Sequence, residues 1–278
     1  MSANETVACD LCASPDHKLL FVKEGFRHVR CNNCGLVFVN PRLHDHLDRQ
    51  SRTGTGSMGE DLLTPAQVRR LQRELTRLEP FRRLNRILEV GAGRGWFLGE
   101  ASRLGWHTWA VEINSDALQR LRSKGIEKIT TQPAEDLQAP EDSMDVVRMW
   151  DVIEHLSSPR KAVTAIHNAL RPGGLLTLST TNFASLSRRV NGPEWVYLNG
   201  ADHIFLFEPA TITRLLTEIG FRDIGIRTRS FNLRRKLYHP EEDLPPRWLI
   251  LRPFRKIIDE TLRFTLLGHQ MLVTAVKR

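Results

Sequence analysis

Two groups of side chains in this 278-residue chain have types and spacings that do chemistry. The first is its four cysteines, Cys9 and Cys12 in "CDLC" and Cys31 and Cys34 in "CNNC". The pattern C-x2-C-x18-C-x2-C falls in the spacing window of a four-thiolate zinc site. Gly35 follows the second pair, where a knuckle turn often needs a positive φ. Four protein ligands close a tetrahedral site, so zinc held there is structural. The second group lies in "RMWDVIEHLSSP", residues 148–159, where an apolar, strand-like run ends in Asp151, Glu154 and His155. In one helical turn, positions i, i+3 and i+4 share a face. Such groups can line a substrate, move a proton, bind a metal or cap a helix. The residues alone leave these roles open. Lining is favoured over a bound metal, because one short motif is weak warrant.

A third feature is the loop in "ILEVGAGRGWFL", where Gly91, Gly93 and Gly95 alternate between a strand and a helix. A dinucleotide fingerprint would need glycine where Trp96 stands, and a P-loop would need a Gly-Lys-Ser/Thr ending. Seventeen residues past Gly95, "AVEIN" places Glu112 at the tip of the next strand. A carboxylate there can accept both hydroxyls of a ribose.

Periodicity supplies the elements that must hold these groups. From Asn85 to the final "HQMLVTAVKR", apolar runs alternate with amphipathic helices. That order predicts an α/β fold, a Rossmann-like, seven-stranded, mostly parallel sheet with helices on both faces. Its ligands sit at the carboxyl ends of the strands. Ahead of it, "KLLFVKEGFRHVRC" reads as two strands around Glu24 and Gly25, and "GLVFVNP" as a third. Residues 1–43 are therefore read as a small zinc ribbon that needs its metal to fold. Residues 44–63 are polar, rich in Gly and Ser, and read as a linker; its His44 and His46 receive no role. Thr64 and Pro65 open a helix over about 65–84, with Val68, Leu71, Leu75 and Leu78 at helical spacing. Residues 64–278 form the main domain, with a basic amphipathic insert at 229–267.

In this order and spacing, "LEVGAGRG", "VEIN", "MDVVRMWDVIEHLSSP" and "LRPGGLLTLST" resemble the class I S-adenosylmethionine-dependent methyltransferases. The resemblance runs from about Arg86 to Phe231 and includes the last strand. It is closest to the ubiquinone-biosynthesis O-methyltransferases. It implies transfer of a methyl group from S-adenosylmethionine to a small-molecule or carrier-linked acceptor, by O- or N-methylation. It implies that Glu89 and the loop of Gly91, Ala92, Gly93 and Gly95 hold the methionine half of the cofactor. Glu112 would hold the ribose, Ile113 would line the adenine, and Trp150 would join the cofactor side. Pro133 stands where the family often has an acidic residue meeting the adenine amine, so Glu135 or the backbone around Ala134 would substitute. On the acceptor side the resemblance implies Asp151, Glu154 and His155, with a divalent cation in some relatives. His203 is a second base candidate on equal footing with His155. Asn182 would face the substrate, from a loop with Thr181 in place of the proline of a subset of relatives. Trp195, Tyr197 and Phe207 would form an apolar wall.

The net charge of +8 comes from 40 basic and 32 acidic residues. Nine basic and three acidic residues lie between Arg227 and Lys256, and seven basic and two acidic between Arg69 and Arg86. Basic surfaces of this kind favour an anionic acceptor. The insert interleaves Trp248, Phe254 and Ile257 with basic residues, as a lid, a partner interface or a membrane-surface element would. A second hypothesis is an RNA- or protein-binding or modifying protein built on the ribbon and the basic surfaces. Against it, no Asn/Asp-Pro-Pro-aromatic motif follows strand four and no aromatic-basic stripe appears. No apolar run is long enough to span a bilayer and no signal peptide is recognisable, so the expected location is cytoplasmic, with peripheral membrane contact open.

Overall fold

The computed structural model describes residues 4–44, 63–229, 261–262 and 264–278. Nearly all of the expected linker and most of the expected insert lie outside the described residues.

The N-terminal segment holds β1 (Asn4–Glu5), β2 (His17–Lys23), β3 (Phe26–Cys31), β4 (Val37–Val39) and β5 (Arg42–Leu43). The hairpin between β2 and β3 turns at Glu24 and Gly25, both at positive φ, as the sequence suggested. Helix α1 (Pro65–Leu78) starts where the Thr64 hydroxyl accepts a hydrogen bond from the Gln67 amide and the Gln67 side-chain oxygen accepts one from the Thr64 backbone. It buries Leu71, Leu75 and Leu78. It is shorter than expected because Pro80 follows, which lacks an amide hydrogen and restricts Glu79; a single 3-10 turn, Glu79–Phe81, ends the element.

The main domain continues as β6 (Arg86–Val90), α2 (Trp96–Arg103), β7 (His107–Val111), α3 (Ser115–Ser123), β8 (Lys128–Thr130) and β9 (Met144–Trp150). Then come α4 (Pro159–Ala169), β10 (Leu170–Thr181), α5 (Leu186–Asn191), β11 (Phe205–Leu206), α6 (Pro209–Ile219), β12 (Phe221–Arg229) and β13 (Gln270–Lys277). The seven-stranded sheet has the order β12-β13-β10-β9-β6-β7-β8. The five strands from β10 to β8 are parallel, and β13 runs antiparallel between β10 and β12. The expected Rossmann-like architecture is present. Central strands β6 and β9 are covered on both faces and so read as nearly continuous apolar runs. Apart from the exposed Arg86 at the start of β6, the exceptions, Glu89, Asp145 and Arg148, are charged groups inside the protein.

The ribbon is built into this domain. Its strand β4 pairs on one side with β3 and on the other with β11, through Phe38 opposite Phe205 and Val37 opposite Leu206. The result is a four-stranded sheet, β11-β4-β3-β2, shared by the two parts of the chain. The Asp10 carboxylate accepts from the Ser158 hydroxyl at 2.6 Å and the Arg160 amide at 2.7 Å, at the start of α4. Arg42 donates to the Ser157 carbonyl, and Arg30 pairs with Glu208 at 2.7 Å. Among the described residues no helix is long and apolar enough to cross a membrane.

Candidate cofactor and acceptor site

The glycine loop closes the carboxyl end of β6. Gly91, Gly93 and Gly95 all have positive φ. A Cβ on Gly91 would collide with Val152, and one on Gly95 with Leu121. A Cβ on Gly93 would meet nothing within 4 Å, so that glycine faces open space. The Gly93 amide donates to Glu112 Oε2 at 2.7 Å, and the Asn114 amide to Glu112 Oε1 at 2.8 Å. The carboxylate is fixed at the tip of β7 with lone pairs to spare for hydroxyl donors. Glu89 is buried at the other end of the loop. One of its oxygens pairs with Arg148, and Oε2 has no protein partner. Burial pushes its carboxyl up to about 7, against the attraction of Arg148. A free loop surface, an anchored carboxylate and an orphaned buried acceptor fit a ligand with a ribose and an ammonium group.

Ala134 and Glu135 are both buried. Oε1 of Glu135 accepts from the Ser157 and Ser158 amides, which holds the carboxylate at the start of α4. Its Oε2 is buried with no protein partner and is left as an acceptor. Trp150 ends β9 over the Arg148 guanidinium, at 4.0 Å.

Past β9 the sequence turns through a 3-10 turn, Ile153–His155. Asp151 sits at φ 52°, outside the ordinary regions for a non-glycine residue. It does not cap the turn. Its carboxylate accepts from Ser179 Oγ at 2.8 Å and Gln270 Nε2 at 3.1 Å, which bridges β9 to β10 and β13. Glu154 is buried and accepts from Thr180 Oγ1 at 2.9 Å. Burial, reinforced by the nearby Asp151 charge, pushes its carboxyl up to about 8. His155 and His203 meet edge to face with centroids 4.7 Å apart. Nδ1 of His155 lies 2.9 Å from the Asp202 carbonyl, and Nδ1 of His203 lies 3.1 Å from the Tyr197 carbonyl. A carbonyl can only accept, so each Nδ1 carries a proton, and in the neutral ring Nε2 carries the lone pair. Burial, then the charge of His155, holds His203 down at about 3. Potential ligand atoms of Glu154, His155 and His203 lie within 4.8 Å of one another, a grouping that does not include Asp151.

Tyr197, expected in an apolar wall, stacks on His203 at 6.1 Å and on His269 at 5.6 Å. No sequence pattern marks His269. Three of the expected acceptor-side residues are corrected. Asn182 is fully buried, and its amide donates to the Leu266 and Gly268 carbonyls, so it holds the chain ahead of β13. Trp195 packs in the core with Phe183 and Leu198, and Phe207 packs in the core with Phe205. Each of these two rings is 1% exposed, so neither presents a wall to a ligand.

The four cysteines converge on one point. Cys9 and Cys34 Sγ are 3.4 Å apart, Cys12 and Cys31 Sγ 3.5 Å, and all four lie within 4.8 Å of one another. A tetrahedral zinc–thiolate site spaces its sulfurs by about 3.8 Å, from Zn–S bonds of about 2.3 Å. Burial raises the Cys9 thiol and pushes that of Cys34 up to about 11. A cation is what would stabilise the thiolates there. The quartet is compatible with structural zinc.

The sheet order, the glycine loop and the acidic tip of β7 define an S-adenosylmethionine-dependent methyltransferase. Residues 64–225 match the family described as "Methyltransferase domain", and the chain belongs to that family. A ubiquinone biosynthesis O-methyltransferase of Dinoroseobacter shibae is 30% identical over 214 residues, which cover 71% of this chain and 77% of that protein. One of Cereibacter sphaeroides is 32% identical over 149 residues, 49% of this chain and 58% of that protein. Among solved structures, a SAM-dependent methyltransferase of Archaeoglobus fulgidus aligns with a TM-score of 0.55 at 22% identity, over 84% of this chain and all of that one. Phosphoethanolamine N-methyltransferase 2 of Haemonchus contortus, in complex with S-adenosyl-L-methionine, aligns with a TM-score of 0.58 at 20% identity, over 87% of this chain and 62% of that one. These structural likenesses establish the fold. The enzyme reading is favoured over a binding module.

Proposed function

We propose that this methyltransferase acts on a hydroxyl of a small-molecule or carrier-linked acceptor, and that His155 takes the hydroxyl proton. The observation that carries the reading is the imidazole pair past the carboxyl end of β9. The O-methyltransferase relatives support the choice of oxygen. When bound, the cofactor supplies an electrophilic methyl group on its sulfonium. The chain must align the acceptor, exclude water and receive a proton. His155 has the protonation pattern for this, because the Asp202 carbonyl holds Nδ1–H and leaves Nε2 as acceptor. His203 stays neutral, so it adds no opposing charge as His155 becomes an imidazolium. Tyr197 stacks on His203. Replacing His155 with Ala should lower kcat by about 10²- to 10⁴-fold. Binding of S-adenosylhomocysteine should stay within about twofold in the same variant. An Ala variant with full turnover would exclude His155 as the base.

The grouping of Glu154, His155 and His203 supports a second reading, a divalent cation that orients the acceptor oxygen. Metal analysis separates the two. A cation site predicts two ions per chain, falling to one in His203→Ala with the cysteine quartet intact. A single ion in both proteins leaves the general-base reading. An anionic acceptor is supported by the net charge and by Arg229, which lies 5.8 Å from the Trp150 ring. Arg229→Gln should then raise KM for a phosphorylated acceptor more than for its neutral counterpart.

A further inference from the structure

Strands β6 and β9 are paired in a register that sets Glu89 beside Arg148. Both side chains are buried and form an ion pair. Arg148 Nε also donates to Glu74 Oε1 on α1, at 2.8 Å. The guanidinium lies over the rings of Phe97, at 4.3 Å, and Trp150, at 4.0 Å. A buried ion triad is a poor way to stabilise a sheet, since apolar replacements of such groups are often neutral or stabilising. One guanidinium between two carboxylates leaves an excess negative charge beneath the glycine loop. Glu89 Oε2 is left without a protein partner. The unfilled acceptor and the excess charge match a cationic ligand group, the ammonium at the methionine end of the cofactor.

We infer that Arg148 is a positioning residue for cofactor binding: it fixes Glu89 by one oxygen, leaves the other for the ammonium, and ties that carboxylate to α1 through Glu74. The inference rests on the placement of Glu89 at the methionine end. The charged groups facing Glu89 are Arg148 from β9, Glu74 from α1 and Glu112 from the tip of β7. Burial raises Glu89 most, Arg148 lowers it, and Glu74 raises it again. A protonated Glu89 cannot pair with an ammonium, so affinity falls as pH drops through its pKa. Loss of Arg148 moves that fall to higher pH. Loss of the Glu74 charge, which repels Glu89, moves it to lower pH. A residue that merely holds the fold would weaken binding alike at every pH.

The test is the dissociation constant of S-adenosylhomocysteine for the full chain, by calorimetry from pH 6 to 8.5. The wild-type protein should bind about tenfold more weakly for each pH unit below the Glu89 pKa. Arg148→Met should show that fall at higher pH, Glu74→Gln at lower pH, and Arg148→Lys between Arg148→Met and the wild type. A pH-independent loss in Arg148→Met, or a Glu74→Gln profile that moves the same way as Arg148→Met, overturns the inference. If Arg148→Met does not fold, Glu74→Gln and Arg148→Lys carry the comparison. Glu89→Gln separates the two levels. Wild-type binding by that variant removes Glu89 from the cofactor site, and the inference with it. Weak, pH-flat binding by Glu89→Gln beside an unshifted profile in Arg148→Met keeps Glu89 in place and overturns only the role of Arg148.

Discussion

His28 shows how burial sets chemistry at a single residue. It lies in β3, fully buried, with its ring stacked on Phe21 at a centroid distance of 4.6 Å. Burial lowers its pKa from 6.5 to about 4, so the folded protein keeps it neutral while the unfolded chain protonates near 6.5. The unfolded state then binds more protons between those values, and stability is lost as pH falls through that window. Between pH 6.5 and 5.5 the loss assignable to this residue is about 1 kcal/mol. His28→Phe should remove that much of the acid sensitivity, read as the difference between urea midpoints at the two pH values with zinc present. Equal acid sensitivity in both proteins would show that His28 is protonated in the fold. Residue types announced the cysteine quartet and Glu112, because thiolate spacing and a strand-end carboxylate are local patterns. Nothing local marked His28 as neutral or Arg148 as the partner of Glu89, since both facts come from what a neighbouring strand or sheet places beside them.

At the scale of elements, the turn that carries His203 depends on a glycine. A Cβ on Gly200 would overlap Cβ and Cγ of Phe26, at the start of β3. The turn and the ribbon strand therefore touch with no space for a methyl group. Gly200→Ala should push the His203 turn away from its place and lower kcat several-fold, with the S-adenosylhomocysteine affinity unchanged. Unchanged kcat would mean that the turn yields without moving the histidine. The long apolar runs made the seven strands readable, while the helix expected over about 65–84 ran past Pro80, the local signal that ends α1 at Leu78. The two-residue strand β11 was not readable, because so short a run has no period. Its partner β4 lies at the opposite end of the sequence order, where no local signal reaches. The same blindness explains the misplaced Asn182, Trp195 and Phe207: the segment was recognised, but which of its side chains turn inward is decided by the ribbon and β13 packed against it.

For the whole molecule, the shared sheet joins the strands of the cysteine quartet to the segment that carries His203. Removing the metal with a chelator, or changing Cys12 to Ser, should lower Tm and raise amide exchange in β2, β3, β4, β11 and residues 199–203. The glycine loop, on the other sheet, should keep its affinity for S-adenosylhomocysteine. A metal-free protein with unchanged Tm would show that the quartet needs no ion. The sheet order also bears on synthesis at the ribosome. The ribbon strands emerge first, yet the strand that completes their sheet, Phe205–Leu206, is made only after most of the methyltransferase domain. At about 5–20 residues per second the interval is on the order of ten seconds or more. Through that time the β4 edge, with Val37, Phe38 and Val39, stands open on the nascent chain, and a chaperone has its longest opportunity to hold it.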